Sequence, residues 1–304
     1  MSVNHEDYRL INKILLKGVD IHQNPIEKLP LSKVNSVFRS NVIKVIINMA
    51  ILVFDIETIP DVESGRKLFD LDGLSDEDTA LAMFALRRAK VGNDFLPHYL
   101  QKICAISLVL SHGSQLKVWS LGDENSSEKE LISRFYSGIE KHTPTLVSWN
   151  GSGFDLPVLH YRSLLHSVTA PTYWEVGENE QGFRWNNYLS RFHYRHTDLM
   201  DIIAGYQNKA FAPLDDISTM MGFPGKMGMS GSKVWEQYAA GQIKSIRDYC
   251  ETDVLNTYCV YLRFELIRGI INMDEYQNSI DQLKSYLSTE KNKVHLQEFL
   301  KQMA

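Results

Sequence analysis

Long hydrophobic runs, a cysteine framework and an excess of positive charge are all missing from this 304-residue chain. The longest apolar stretch, residues 42–56, is broken by Lys44, Asn48 and Asp55. It falls short of the roughly 20 residues that cross a bilayer, so no transmembrane helix is expected. The first residues lack the basic, apolar and small-residue order of a signal peptide. Cys104, Cys250 and Cys259 form no Cys-x-x-Cys pair, which argues against a disulfide framework or a thiolate zinc site and makes a reducing, cytoplasmic setting the expectation. A formal charge of −5 removes any global attraction to phosphate, so contact with nucleic acid would need a local basic patch. Carboxylates gathered for cations add negative charge that a bound cation reverses locally, so the acidic total does not exclude such a site. No internal repeat or low-complexity tract is present.

What is present changes along the chain. Residues 1–48 carry seven Lys+Arg against four Asp+Glu, leaving −8 for the remainder. Pro25 and Pro30 divide this segment and its apolar residues follow neither helical nor strand period, so it reads as an extension, with Met49 as a possible natural start. From Ala50 the pattern becomes Ile51-Leu52-Val53-Phe54-Asp55-Ile56-Glu57, a short buried strand ended by Pro60 and Asp61. A helix is expected over 75–91 with Ser75 as N-cap. Strands over 103–110 and 116–121 form a hairpin about the turn 111–114. A helix over 127–141 leads to a buried strand, 145–149. Helical patterns follow over 156–167, 198–206, 214–221, 233–240 and 243–268, then two amphipathic tail helices. Strands first, helices later, with one βαβ crossover, make a mixed α/β domain.

Three acidic features fall on these elements. Asp55 and Glu57 are two apart on a strand, so both project from one face and can share a cation. Two acids adjoining Leu52, Val53 and Phe54 are costly to bury without a partner. Asp155 follows Asn150-Gly151-Ser152-Gly153-Phe154 at a strand-to-helix junction; before Leu156-Pro157 it equally looks like a helix N-cap. Tyr249 and Asp253 lie four apart in the long helix and share a face, although a surface Tyr beside a solvated Asp has the same spacing. Each feature alone is weak. Their order, at intervals of about 100 residues, is three independent coincidences.

In that order and on those elements the residues resemble the DEDD superfamily of 3′-to-5′ exonucleases, whose domains are ribonuclease H-like. Tyr at 249, with Asp rather than His at 248, resembles the tyrosine branch. Phe54-Asp55-Ile56-Glu57-Thr58-Ile59-Pro60, Trp149-Asn150-Gly151 with Phe154-Asp155, His196-Thr197-Asp198-Leu199-Met200-Asp201, and Arg247-Asp248-Tyr249-Cys250-Glu251-Thr252-Asp253-Val254 resemble stand-alone bacterial proteins similar to the exonuclease domain of family B DNA polymerases. The resemblance runs from about residue 49 to 269. It divides the chain into an extension (1–48), an exonuclease domain (49–270) and a helical tail (271–304).

The resemblance implies an α/β fold with a ribonuclease H-like mixed sheet flanked by helices. It also implies two divalent cations, with Asp55 bridging both, Glu57 and Asp253 completing one site, Asp155 holding the other, and Tyr249 orienting the attacking water. Carboxylate oxygens with no nearby cysteine suit Mg²⁺ or Mn²⁺. The expected partner is the 3′ end of a nucleic acid, single-stranded DNA ahead of RNA, with nucleoside 5′-monophosphates as products and no membrane. Backbone around Thr58 would meet the terminal 3′-hydroxyl, and Ile59 or Phe154 would wedge against the last bases, beside Asn150. Lys226, Lys233 and Arg247, with Trp235, would contribute a basic, aromatic groove. Asp198 and Asp201 with His193 and His196 read as a helix start rather than a further metal site. A catalytically silent nucleic-acid-binding module and an RNA or short-oligonucleotide exonuclease are the alternative functions.

Overall fold

The computed structural model describes residues 50–303; the 1–48 extension lies outside the described residues. Five strands form one mixed sheet in the order β3-β2-β1-β4-β5, with β1 Ile51–Pro60, β2 Gln101–His112, β3 Gln115–Ser120, β4 Thr145–Ser148 and β5 His196–Asp198. β1 runs antiparallel to β2 and parallel to β4, so the strand carrying Asp55 and Glu57 is central. This is the expected α/β, ribonuclease H-like arrangement. No helix among the described residues is long and apolar enough to cross a membrane.

Alternation along β1 sorts its side chains into two cores. Leu52, Phe54 and Ile56 pack with Leu131, Phe135 and Ile139 of α3 (Glu128–His142) and Leu156 and Leu159 of α4 (Asp155–His166). Val53 points the other way and shares a core with Val254, Leu255 and Tyr258 of α9 (Ile243–Ile267). Asp55 and Glu57 share the parity of Val53 and therefore face α9. The tail helices α10 (Met273–Thr289) and α11 (Val294–Gln302) bury Leu283, Leu287, Leu296 and Phe299 in that same core. They brace α9 from behind: Lys293 Nζ and His295 Nε2 each reach Glu251 Oε2 at 2.9 Å, and Glu251 Oε1 accepts from Ser120 N at 2.9 Å.

Ser75 caps α2 (Asp76–Val91), as its sequence predicts, accepting from Asp78 N. Several elements differ from expectation, among them a four-residue helix α5 (Pro171–Trp174) where none is predicted. A helix α1, Val62–Phe69, follows β1 directly, capped by Asp61, which accepts from Ser64 N. Residues 196–198 form the short strand β5 before α6 (Leu199–Ile203) rather than the start of a longer helix, because they complete the parallel edge beside β4. Three residues are too few to show a period. Trp149 lies just beyond β4.

Candidate active site

Each acid reaches the site by a separate local device. On β1, Asp55 and Glu57 project from one face, and the register with β2 shifts between Glu57 and Thr58. The irregularity adds a residue, Cys104, on the β2 side, and its thiol donates to the Glu57 carbonyl oxygen at 3.3 Å. Asp155 is the first residue of α4 but does not cap it; Phe154 holds the cap position without a side-chain bond. Instead, Asp155 Oδ1 accepts the Ile56 N–H at 3.1 Å. The β1–β4 pairing ends at Val53–Val147, so the carboxylate takes the place a neighbouring strand would have filled. Tyr249 and Asp253 come from α9, one turn apart, where it crosses the face of β1.

The turn that delivers Asp155 is built around Asp198. Its Oδ1 accepts from Asn150 N at 2.9 Å and its Oδ2 from Ser152 N at 2.8 Å. Asn150 sits in the left-handed region, φ 66°, which asparagine tolerates better than most residues. Asp198 also caps α6 at Asp201 N, and Asp201 pairs with Arg191 at 2.6 Å. His196 Nε2 bonds Ser148 Oγ, and burial pulls its pKa down to about 4, so it stays neutral; His193 Nδ1 accepts from Asn187 N. Asp198 and Asp201 thus start α6, while the two histidines are engaged in β5 and the loop before it.

A deeper support is Arg162, 2 % exposed, which donates to Asp61 Oδ2 at 2.5 Å and to Glu128 Oε1 and Oε2 at 2.8 and 2.6 Å. It ties α4 to the end of β1 and to α3. The sequence marks Asp61 only as the end of a strand and gives no sign of its pairing with Arg162 and Glu128, because the partners lie 34 and 101 residues apart.

The four carboxylates bear on one another. Burial, then the charges of Asp155, Glu57 and Asp253, hold the Asp55 carboxyl well above the ordinary carboxylate range. Burial, then Asp253 and Asp155, do the same to Glu57, with Lys226 opposing. Burial raises Asp155 to about 7 and Asp253 to about 6, the latter eased by the neighbouring Tyr249 hydroxyl and Lys226. Asp55, Trp149, Asn150, Lys226, Tyr249 and Asp253 are among the residues lining a cleft of about 520 Å³. Four oxygen-donor side chains that repel one another when ionised fit hard divalent cations.

A cysteine is nearby after all. Asp55, Glu57 and Cys250 each offer a ligand atom, all within 4.8 Å of one another, because α9 turns residue 250 toward β1. Burial and the adjacent carboxylates raise the thiol's pKa, so it stays protonated and donates to Asp55 Oδ2 at 3.4 Å.

A family model described as a predicted 3′-5′ exonuclease related to the exonuclease domain of PolB matches residues 93–303. The chain belongs to that family. The matched stretch of this PolB-exonuclease-related family contains Asp155, Tyr249 and Asp253 as well as both tail helices, and it begins after β1. Asp55 and Glu57 thus lie outside it, and their face toward α9 is a finding of the fold. No curated protein matches the chain.

The remaining candidates divide. Lys226 and Asn150 line the cleft. Thr58 is half-buried, its hydroxyl donating to Gln101 Oε1 at 2.9 Å. Phe154 is half-buried against Phe95 and His98, with ring centroids 5.5 and 5.8 Å away. Ile59 is 3 % exposed and packs with Ala105, Val234 and Ile246, so its side chain is not available as a wedge here. Lys233 is exposed on a neighbouring cavity that reaches the other side of Tyr249. Arg247 has its guanidinium committed within the fold, donating to the carbonyls of Ser120, Leu121, Gly122 and Asp123. Trp235 packs in the Ile59 cluster and stacks on Tyr238.

Proposed function

We propose that this protein is a metal-dependent 3′-to-5′ exonuclease that removes nucleotides from the 3′ end of a single strand, with DNA preferred. The observation that carries the reading is the mutual approach of the Asp55, Glu57, Asp155 and Asp253 carboxylates, with Asp55, Asp253 and Tyr249 lining the cleft. Membership of a family described as predicted 3′-5′ exonucleases supports it. The four carboxylates are the residues that would hold two Mg²⁺ or Mn²⁺ ions. Such ions supply Lewis acidity, a water acidic enough to ionise near neutral pH, and relief of charge on the leaving oxygen.

The chain's own groups do the rest. Mutual repulsion among the acids is the driving force for cation capture, since ionised carboxylates without a cation are costly where they sit. The Tyr249 hydroxyl, beside Asp253 and kept protonated by burial and these acids, orients the attacking water. Water adds to phosphorus, the bond from phosphorus to the 3′-oxygen breaks, that oxygen takes a proton, and a nucleoside 5′-monophosphate leaves. Asn150 and Phe154, on the turn before Asp155, meet the terminal nucleotide. Backbone at Thr58 meets its 3′-hydroxyl.

Matched single-stranded DNA and RNA oligonucleotides incubated with Mg²⁺ or Mn²⁺ test the reading. The wild type should shorten DNA stepwise from the 3′ end, and Asp55→Ala should not. Wild type and variant equally inert on both polymers refutes it; metal-independent binding without cleavage identifies a silent binding module.

A further inference from the structure

A glycine-rich loop, residues 221–233, links α7 (Leu214–Met220) to α8 (Val234–Ala239) along the edge of the cleft. With Gly222, Gly225, Gly228 and Gly231 it would be expected to fluctuate, yet two of its residues are fastened. Gly225 N donates to Asn256 Oδ1 at 3.2 Å and Asn256 Nδ2 donates to Gly225 O at 2.8 Å. Lys226 N donates to Asp215 Oδ1 at 2.7 Å. Glycine suits 225 on two counts: φ is +63°, and a Cβ would lie 2.4 Å from Asp215 Oδ1 and 2.6 Å from Thr219 Oγ1, so either side chain would have to shift.

Asn256 is 1 % exposed. A buried amide is costly unless bonded, and this one spends both its groups on the backbone of a single residue. It lies three residues after Asp253 on α9, on the same face and about 4.5 Å along the axis. The clamp therefore fixes the backbone of 225 and 226 relative to a site acid. Lys226 itself is exposed, lines the cleft with Asp55, Tyr249 and Asp253, and forms no ion pair among the described residues. Its charge reaches Glu57 and Asp253. An unpaired ammonium at the rim of an acidic cleft suits a phosphate oxygen of a strand entering it.

We propose that Asn256 is a positioning residue that, by clamping Gly225, holds Lys226 where its ammonium receives a phosphate of the bound strand. The inference rests on the nuclease reading, and a double-mutant cycle separates the two. Wild type, Lys226→Ala, Asn256→Ala and the double variant are compared for binding of a fluorescent single-stranded oligonucleotide in Ca²⁺ and for its hydrolysis in Mn²⁺.

Each single variant should weaken binding by about tenfold, the scale of one charge-assisted contact, and the double variant should be no worse than Lys226→Ala. The Mn²⁺-induced rise in melting temperature should persist in all four, since the site acids are untouched. Should Asn256→Ala not fold, Asn256→Leu, similar in size, carries the same cycle. Additive losses, or an Asn256 variant that binds within twofold of wild type, overturn the proposal while leaving the nuclease reading intact. A wild type that binds strands but cleaves none sinks the nuclease reading, and the binding cycle alone then decides the role of Asn256.

Discussion

Replacing Asp155 by Asn should make the metal-free protein more stable at alkaline pH while making it blind to metal. The Asp155 side chain is buried, 3 % exposed, with Oδ1 accepting the Ile56 N–H at 3.1 Å. Asn retains an acceptor for that bond, so the substitution removes charge and little else. Burial moves the Asp155 pKa from an ordinary 3.8 to about 7. Because the folded value is the higher one, the folded chain binds this proton more tightly than the unfolded chain. The resulting stabilisation is complete below about pH 4 and is lost as the pH rises through about 7. At about 1.36 kcal/mol per pH unit, the difference reaches roughly 4 kcal/mol by pH 8. The Asn amide has its own burial cost, so a net gain of about 2 kcal/mol is expected, or about 4–8 °C in melting temperature for a chain of this size. Thermal melts of wild type and Asp155→Asn in EDTA should nearly coincide at pH 5 and separate at pH 8, with Asn higher. Excess Mn²⁺ at pH 8 should raise the wild type and leave the variant close to its EDTA value. If the variant melts below wild type by the same margin at both pH values, Asp155 is a structural acceptor whose charge the fold welcomes, and the reasoning fails.

Tyr249→Phe should lower kcat by about 10²-fold or more, while the Mn²⁺-induced rise in melting temperature stays, since no carboxylate is altered; single-turnover hydrolysis beside a thermal melt checks both. Arg162→Ala leaves Asp61 and Glu128 buried without their shared cation, so a loss of about 3–5 kcal/mol is expected, measured by urea denaturation. Phe299→Ala in the tail empties a fully buried position in the core behind α9, and should cost about 3–5 kcal/mol in a single transition; a separate low-temperature transition would show that the tail folds apart from the sheet.

How far the chain can be read without coordinates follows from the range over which its signals act. β1 and α9 are legible because their cues are local: a short β-rich apolar run ended by Pro60 and Asp61, and an apolar period held over about seven turns. Parity alone put Asp55 and Glu57 on one face of β1, whereas the meeting of that face with α9 is a tertiary contact that only the fold supplies. The strand β5 was not legible, since three residues show no period and His196–Asp198 is a strand only because β4 supplies its ladder. The helix α1 was missed because Val62–Phe69 holds a glycine, Gly65, whose small size serves a contact with Met83 rather than a local preference.

The site acids show the same division in sharper form. From the sequence Asp155 was ambiguous between a cap and a ligand, and the ambiguity was physical: a first-turn carboxylate before proline satisfies either. What resolves its placement is a bond to Ile56 across 99 residues, available only because β4 stops short of that position. The side chains of Ile59 and Arg247 are engaged elsewhere for the reciprocal reason. Their chemistry suited the groove, but one is buried in a small core and the other has its guanidinium committed to four carbonyls of the 120–123 turn. Side-chain type fixes what a residue can do, whereas competition for its polar groups decides what it is free to do. By that criterion Lys226, with its backbone fastened and its ammonium in no ion pair among the described residues, is the cation at this cleft whose polar group is uncommitted.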